Sequence, residues 1–130
     1  MILVDTSIWI DHLHRSDEAL VELLLADSVC VHPMVVEELA LGSLRDRDLF
    51  LATVGGLPSA EVVVHRDVLT FVAASELWGK GLSAVDAQLL ASAFHSAGEV
   101  KLWTRDKKLR AAAEELEVAY SVASSGSLGE

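Results

Sequence analysis

The chain alternates between short apolar runs rich in β-branched residues and longer segments with helical periodicity. The short runs are ILV at 2–4, SVCV at 28–31, AEVVV at 60–64, VKLW at 100–103 and VAY at 118–120. Such runs, separated by helices, are typical of an α/β domain with a mostly parallel sheet. They lack strict apolar–polar alternation, which indicates strands covered by helices on both faces. We therefore predict a five-stranded, mostly parallel sheet between two layers of helices.

Helices are predicted between these runs, at 7–14, 17–26, 33–42, 46–54, 66–79, 84–97 and 107–116. Pro33 suits a first helical turn, Ser83 and Asp106 are candidate N-caps, and Gly42 and Gly98 are stop signals. At 130 residues the chain is expected to be a single domain, which we place at 1–123. The small polar residues of SSGSLGE at 124–130 predict a flexible tail.

The composition excludes several classes of protein. Hydrophobic residues make up 52% of the chain, which argues against disorder. No apolar run reaches the ~18 residues of a membrane-spanning helix, and no signal-peptide pattern is present. Cys30 is the single cysteine, so no internal disulfide can form, and we expect it to be a core residue. We predict a soluble, cytoplasmic protein that has no membrane partner.

The charge distribution is uneven. A formal net charge of -10 argues against a nucleic-acid partner. However, five of the ten positive residues lie within 101–110: Lys101, Arg105, Lys107, Lys108 and Arg110. This cluster indicates either an exposed helix start with solvated charges or a basic surface beside an acidic site.

Acidic residues occur where a parallel sheet would gather them. Asp5 directly follows the first run and Asp106 follows the fourth, and ligands of open α/β sheets bind beyond the carboxyl ends of strands. Glu37 and Glu38 interrupt an otherwise apolar helix, and Asp86 lies on an apolar helix face. A carboxylate on a buried face requires a partner, because an unpaired buried charge is costly.

Each acid also has a structural explanation. Asp86 fits a capping box with Ser83, Asp106 fits an N-cap, Asp5 can accept from amides of the next helix, and one of the two glutamates can face solvent. As a set, however, the acids would repel, since two like charges ~4 Å apart interact by about 4 kcal/mol at a dielectric of 20. Mg²⁺ or Mn²⁺ relieves that repulsion through carboxylate oxygens. The spacing of the histidines and the lone cysteine argue against a soft metal.

Four motifs in order, VDTSIWID, EELALG, GLSAVDAQLLASA and LWTRDKKL, resemble those of the PIN-domain ribonucleases, and most of all their VapC-type toxins. The resemblance covers residues 2 to about 110. It implies a Rossmann-like sheet in the order 3-2-1-4-5 and Mg²⁺- or Mn²⁺-dependent cleavage of structured or looped RNA, such as tRNA or rRNA. It also implies a homodimer and a cognate antitoxin that blocks the acidic pocket.

The resemblance assigns the catalytic, metal-binding acids to Asp5, Glu38, Asp86 and Asp106, and so selects Glu38 over Glu37. The hydroxyls of Thr6, Ser7 and Thr104 would orient them, and the side chains of Arg105, Lys107 and Lys108 would guide RNA toward the site. Many relatives carry a further acid where this chain has Lys108. We therefore expect one tightly held ion, with a second arriving alongside the RNA.

Three alternatives stay open from sequence. One is a PIN-domain nuclease of housekeeping RNA processing, and another is a PIN-like module that binds without catalysis. The third is a haloacid-dehalogenase-like phosphatase, which would require an acid where this chain has Ser7. Trp9, Trp78 and Trp103 are predicted to pack in the core or a dimer interface, and the apolar face of 66–79 to pack on a second subunit.

Overall fold

The computed structural model describes residues 1–122. Within that range the chain forms three strands and seven helices. In chain order these are β1 (Ile2–Val4), α1 (Thr6–His14), α2 (Glu18–Leu25), β2 (Val29–Cys30), α3 (Pro33–Ala40), α4 (Arg47–Gly55), α5 (His65–Ala74), α6 (Ala84–His95), β3 (Lys101–Trp103) and α7 (Lys107–Glu115). The tail predicted at 124–130 lies outside the described residues.

The sheet is parallel throughout, with β1 at its centre and the strand order β2-β1-β3. Leu3 of β1 lies beside Cys30 on one side and Leu102 on the other. All three side chains are buried, and the central strand is shielded completely at Leu3 and Val4. This confirms the predicted α/β class with a parallel sheet, and Cys30 lies in the core as expected.

Two predicted strands are wrong: neither 60–64 nor 118–120 forms a strand. Two isolated parallel bridges form nearby: Ser59, just before the first segment, pairs with Val31, and Ala119, within the second, pairs with Leu102. The backbone N–H and C=O of Val63 are hydrogen-bonded to the side-chain amide of Gln88, so they cannot join a ladder. The two segments therefore flank the sheet on the sides that the predicted order 3-2-1-4-5 gives them, without extending it.

The seven predicted helices are all present, and six have both ends within two residues of the prediction. The prediction for 66–79 is wrong at its carboxyl end, because α5 stops at Ala74. Glu76 adopts a left-handed conformation with φ of 52°, and the Leu77 amide donates to the carbonyl of Val72. This turn places the Leu77 side chain in the core, a position that it would not reach if the helix continued.

The core is centred on α6, where Leu89, Leu90, Ala91 and Ala93 are fully buried. Trp9 and Trp103 belong to this core as predicted, whereas Trp78 is 64% exposed. No helix within residues 1–122 is long and apolar enough to cross a membrane.

Candidate active site

Asp5 leaves the carboxyl end of β1 with its side chain only 7% exposed. Its backbone N–H donates to the carbonyl of Trp103 at 3.0 Å, which holds it at the edge of the sheet. Carboxylate oxygen Oδ2 accepts hydrogen bonds from Thr104 Oγ1 at 2.7 Å and Ser7 Oγ at 3.0 Å. The side chain accepts no amide of α1, so the helix-cap explanation for Asp5 is wrong.

Thr104 and Ser7 connect two loops around this carboxylate. While Thr104 Oγ1 donates to Asp5, it accepts from the backbone N–H of Asp106 at 3.0 Å. Ser7 Oγ in turn accepts from the backbone N–H of Arg105 at 3.2 Å. The loop after β1 and the loop after β3 are thereby fixed to each other, although 97 positions separate the two hydroxyl residues.

Asp86 and Asp106 stand at the first turns of α6 and α7. Asp106 is the N-cap of α7 and accepts through Oδ1 from the Leu109 amide at 2.9 Å. Asp86 completes a capping box: its Oδ2 accepts from the Ser83 amide at 3.0 Å, and Ser83 Oγ accepts from the Asp86 amide at 3.1 Å. Both predicted caps are confirmed, and they fix the positions of both carboxylates.

The pKa of Asp86 shows that these acids influence one another. Burial raises the pKa of this carboxyl above its usual value, and repulsion from Asp5 and Asp106 raises it further, while its hydrogen bonds with Ser83 oppose the shift. Three carboxylates that arise from β1, α6 and the loop after β3 therefore share one electrostatic environment. Excess negative charge of this kind attracts a cation.

Glu38 lies on α3 and is attached to the start of α1. Its Oε1 accepts a hydrogen bond from Thr6 Oγ1 at 2.7 Å, and Thr6 directly follows Asp5. Glu37 is exposed, and its side chain has no hydrogen bond within residues 1–122. The contact with Thr6 thus distinguishes the two glutamates, which helical periodicity could not do.

All four acids share one feature: each uses one carboxylate oxygen for hydrogen bonds within the protein. The other oxygen has no donor among residues 1–122, namely Asp5 Oδ1, Glu38 Oε2, Asp86 Oδ1 and Asp106 Oδ2. The atoms that these four side chains offer to a metal ion are all oxygens, which Mg²⁺ and Mn²⁺ prefer as ligands. No three such side chains in the described part converge on one point. Mg²⁺ tolerates this, since it commonly binds one or two carboxylates and completes its shell with water and phosphate.

The basic residues of 101–110 divide into two groups. Lys107 and Lys108 are exposed, and the Lys108 side chain lies across Gly81, whose missing Cβ would stand 2.9 Å from Lys108 Nζ. Lys101 donates instead to the carbonyl of Glu117, and the guanidinium of Arg105 is bound by acidic side chains. Within residues 1–122, Lys107, Lys108 and the exposed Arg110 have no salt bridge, whereas Arg105 is paired.

A groove of about 510 Å³ lies beside Glu38, between α1 and the chain that follows α3. Apolar side chains of Ile10, Leu13 and Leu44 line it, and Glu38 stands at its border. Ile10 and Leu13 are 44% and 41% exposed. The groove therefore provides an apolar surface directly next to the Glu38 carboxylate.

A family profile described as PIN domain matches residues 2–115. The chain belongs to the PIN domain family. Two curated relatives of this PIN domain are named Ribonuclease VapC32, from the Mycobacterium tuberculosis strains CDC 1551 / Oshkosh and ATCC 25618 / H37Rv. Each is 53% identical over 121 residues, which cover 93% of this chain and 97% of the relative. The resemblance to VapC-type PIN ribonucleases is confirmed.

Proposed function

We propose that this PIN domain is a Mg²⁺- or Mn²⁺-dependent endoribonuclease. It acts in the cytoplasm as the toxin of a type II toxin–antitoxin pair and cleaves structured or looped RNA such as tRNA or rRNA. The observation that carries the proposal is that each of the four carboxylates has one oxygen held by hydrogen bonds and the other without a donor among residues 1–122. The 53% identity to a protein named as a ribonuclease supports the RNA substrate.

In this proposal Asp5, Glu38, Asp86 and Asp106 bind one or two divalent ions. A bound ion would lower the pKa of a water and offset the charge that develops on the phosphate. Thr104 and Ser7 donate to Asp5 Oδ2, which would leave Oδ1 to bind an ion. Thr6 does the same for Glu38, and the two helix caps orient Asp86 and Asp106.

Lys107 and Lys108 would contact the phosphate backbone of the RNA near the acidic pocket. Both are exposed next to Asp106, and neither has a salt bridge among residues 1–122. Contacts of this kind release counterions, so cleavage should weaken as salt rises. Lys108 brings positive charge to the position of a further acid, which supports one tightly bound ion.

The test of the proposal is cleavage of total cellular RNA by the purified chain. We expect cleavage with Mg²⁺ or Mn²⁺, none with EDTA, and none from Asp5→Asn. Glu38→Gln and Glu37→Gln form a matched pair, because the two glutamates are adjacent and exposed but Glu38 alone bonds Thr6. Cleavage that persists in EDTA or in Asp5→Asn would contradict the assignment, and absence of Mn²⁺ binding would favour a non-catalytic module.

The toxin role predicts an inhibitory partner. A basic side chain of an antitoxin would enter the acidic pocket, and its neighbouring apolar residues would fill the groove beside Glu38. Expression of the chain alone should arrest growth, and co-expression of a small reading frame adjacent to its gene should restore it. Normal growth with active enzyme would favour the housekeeping nuclease instead.

We also propose a homodimer formed by the apolar face of α5 and the turn after it. Leu69 and Trp78 are 57% and 64% exposed there, although both are large apolar residues. Leu69→Glu should lower the mass measured by light scattering at micromolar concentration. Leu49→Glu is the control, since Leu49 is 71% exposed on α4. A monomeric wild-type protein would refute the dimer.

A further inference from the structure

Arg105 lies between two residues of the candidate site, Thr104 and Asp106. It belongs to the short loop that joins β3 to α7, and its backbone N–H donates to Ser7 Oγ at 3.2 Å. Its sequence context, within a basic cluster beside an acidic pocket, predicts a residue that attracts RNA. The contacts of its side chain indicate a different role.

The guanidinium of Arg105 is bound by two carboxylates from other elements. Nη1 donates to Oδ2 of Asp11 on α1 at 2.8 Å, and Nη2 donates to Oδ2 of Asp17, the N-cap of α2. Burial alone would raise the pKa of Asp17, but hydrogen bonds from Arg105 and the Leu20 amide outweigh it and hold the pKa below its usual value. The positive charge of Arg105 is thus paired with two carboxylates of the protein, although its side chain stays 38% exposed.

An aromatic ring completes the surroundings of Arg105. Its Cζ lies 5.6 Å from the centroid of the Trp103 ring, and Trp103 packs edge-on against Tyr120. A planar guanidinium can stack on a ring and bond two carboxylates in fixed directions, which the ammonium of a lysine cannot do. The side chain therefore connects α1, the start of α2 and the end of β3.

We propose that Arg105 is a positioning residue and not an RNA contact. It fixes the loop that carries Thr104 and Asp106, and through Thr104 it fixes Asp5, because Thr104 Oγ1 bonds both Asp5 and the Asp106 amide. Asp11 and Asp17 belong to the same device. The effect on catalysis rests on the proposed function, whereas the effect on the loop does not.

Hydrogen exchange tests the loop without metal or RNA. The amides of Asp106 and Leu109 are bonded to Thr104 Oγ1 and Asp106 Oδ1, so they report on its order. In Arg105→Ala we expect about tenfold faster exchange at both amides, the order expected from loss of two half-exposed ion pairs and a cation–π contact. Native exchange in a folded Arg105→Ala would overturn the proposal.

The double variant Asp11→Asn/Asp17→Asn distinguishes a positioning role of Arg105 from an electrostatic attraction of RNA. It leaves Arg105 intact, retains an oxygen at 17 to cap α2, and makes the chain more positive by two charges. Positioning predicts faster exchange and slower cleavage in this variant, as in Arg105→Ala. Tighter RNA binding with native exchange would instead show that Arg105 acts on the RNA.

Kinetics complete the comparison. For Arg105→Ala and Arg105→Lys we expect kcat to fall about tenfold or more, with KM and the salt dependence of kcat/KM nearly unchanged. Lys107→Ala is the control for an RNA contact, and its salt slope should fall by about one. A reduced salt slope in Arg105→Ala, restored by Arg105→Lys, would overturn the proposal. If the wild type cleaves no RNA, the proposed function fails while hydrogen exchange still decides the role of Arg105.

Discussion

Replacing Thr104 with valine should separate the orientation of Asp5 from the packing around it. Thr104 is 5% exposed, and its hydroxyl both donates to Asp5 Oδ2 and accepts from the Asp106 amide. Valine fills nearly the same volume but removes both bonds. Because a hydrogen bond to a charged group contributes about 1.5–3 kcal/mol, we expect Thr104→Val to lose about 2 kcal/mol of unfolding free energy.

This loss converts into a shift of Tm. At about 2.1 cal/mol/K per residue, the 130-residue chain has an unfolding entropy of about 0.27 kcal/mol/K, so Tm should fall by about 7 °C. Thr104→Ser is the matched control, because it retains the hydroxyl and loses one methyl group. That loss costs about 0.8 kcal/mol, or about 3 °C by the same conversion.

Thermal unfolding followed by circular dichroism in EDTA measures both variants, and calorimetry with Mn²⁺ measures the consequence for the site. Loss of a group that orients a metal ligand typically weakens metal affinity 10–100-fold, so we expect about that range for Thr104→Val and much less for Thr104→Ser. If the valine variant melts at or above the serine variant, the hydrogen bonds of Thr104 do not stabilise the site and the reasoning is refuted.

Three further predictions concern pH and backbone conformation. Burial lowers the pKa of His32 below 6.5, so the unfolded chain binds a proton at a higher pH than the folded chain does. The free energy of unfolding should therefore fall as pH drops below 6.5. Urea unfolding at several pH values should show a weaker pH dependence for His32→Asn. Asp86→Asn should raise Tm in EDTA at pH 7 but not at pH 3, since the raised pKa means that the charged form costs stability. Gly81→Ala should destabilise by about 1 kcal/mol or more, because φ is +77° and the exposed Lys108 side chain would have to move away from the new Cβ. Gly55→Ala, in open space at the end of a helix, should stabilise by about 0.4–1 kcal/mol in the same urea experiment.

Local chemistry explains why the caps and the strand ends could be predicted. Ser83 and Asp106 cap helices through bonds that span three residues, so the pattern lies within one stretch of sequence. Asp5 directly follows a buried strand, and β-branched composition marks that strand. Caps and strand ends are therefore determined by residues that are close together along the chain, and a single sequence is enough to predict them.

Long-range side-chain bonds explain where the sequence predictions failed. The segment 60–64 reads as a strand, yet the amide of Gln88, 25 positions away, bonds Val63 in place of a ladder partner. The carboxylates that bind Arg105 are 88 and 94 positions away. No local pattern at Arg105 indicates these partners, and its position between Thr104 and Asp106 is the one signal of a structural role.

At Asp86 and Asp106 a role as a helix cap is compatible with the proposed role as a metal ligand. A carboxylate has two oxygens, and at Asp86 and Asp106 the helix start holds one of them while the other has no donor among residues 1–122. A cap therefore does more than satisfy an amide, since it fixes the rotamer that presents the second oxygen. The cost is the burial of the Asp86 carboxylate and, after it, the repulsion from Asp5 and Asp106, which together raise its pKa. A divalent cation would offset that cost only if the caps keep the second oxygens in place. It follows that Ser83 should matter for metal affinity as well as for the stability of α6, although its side chain bonds a backbone amide and no carboxylate among residues 1–122.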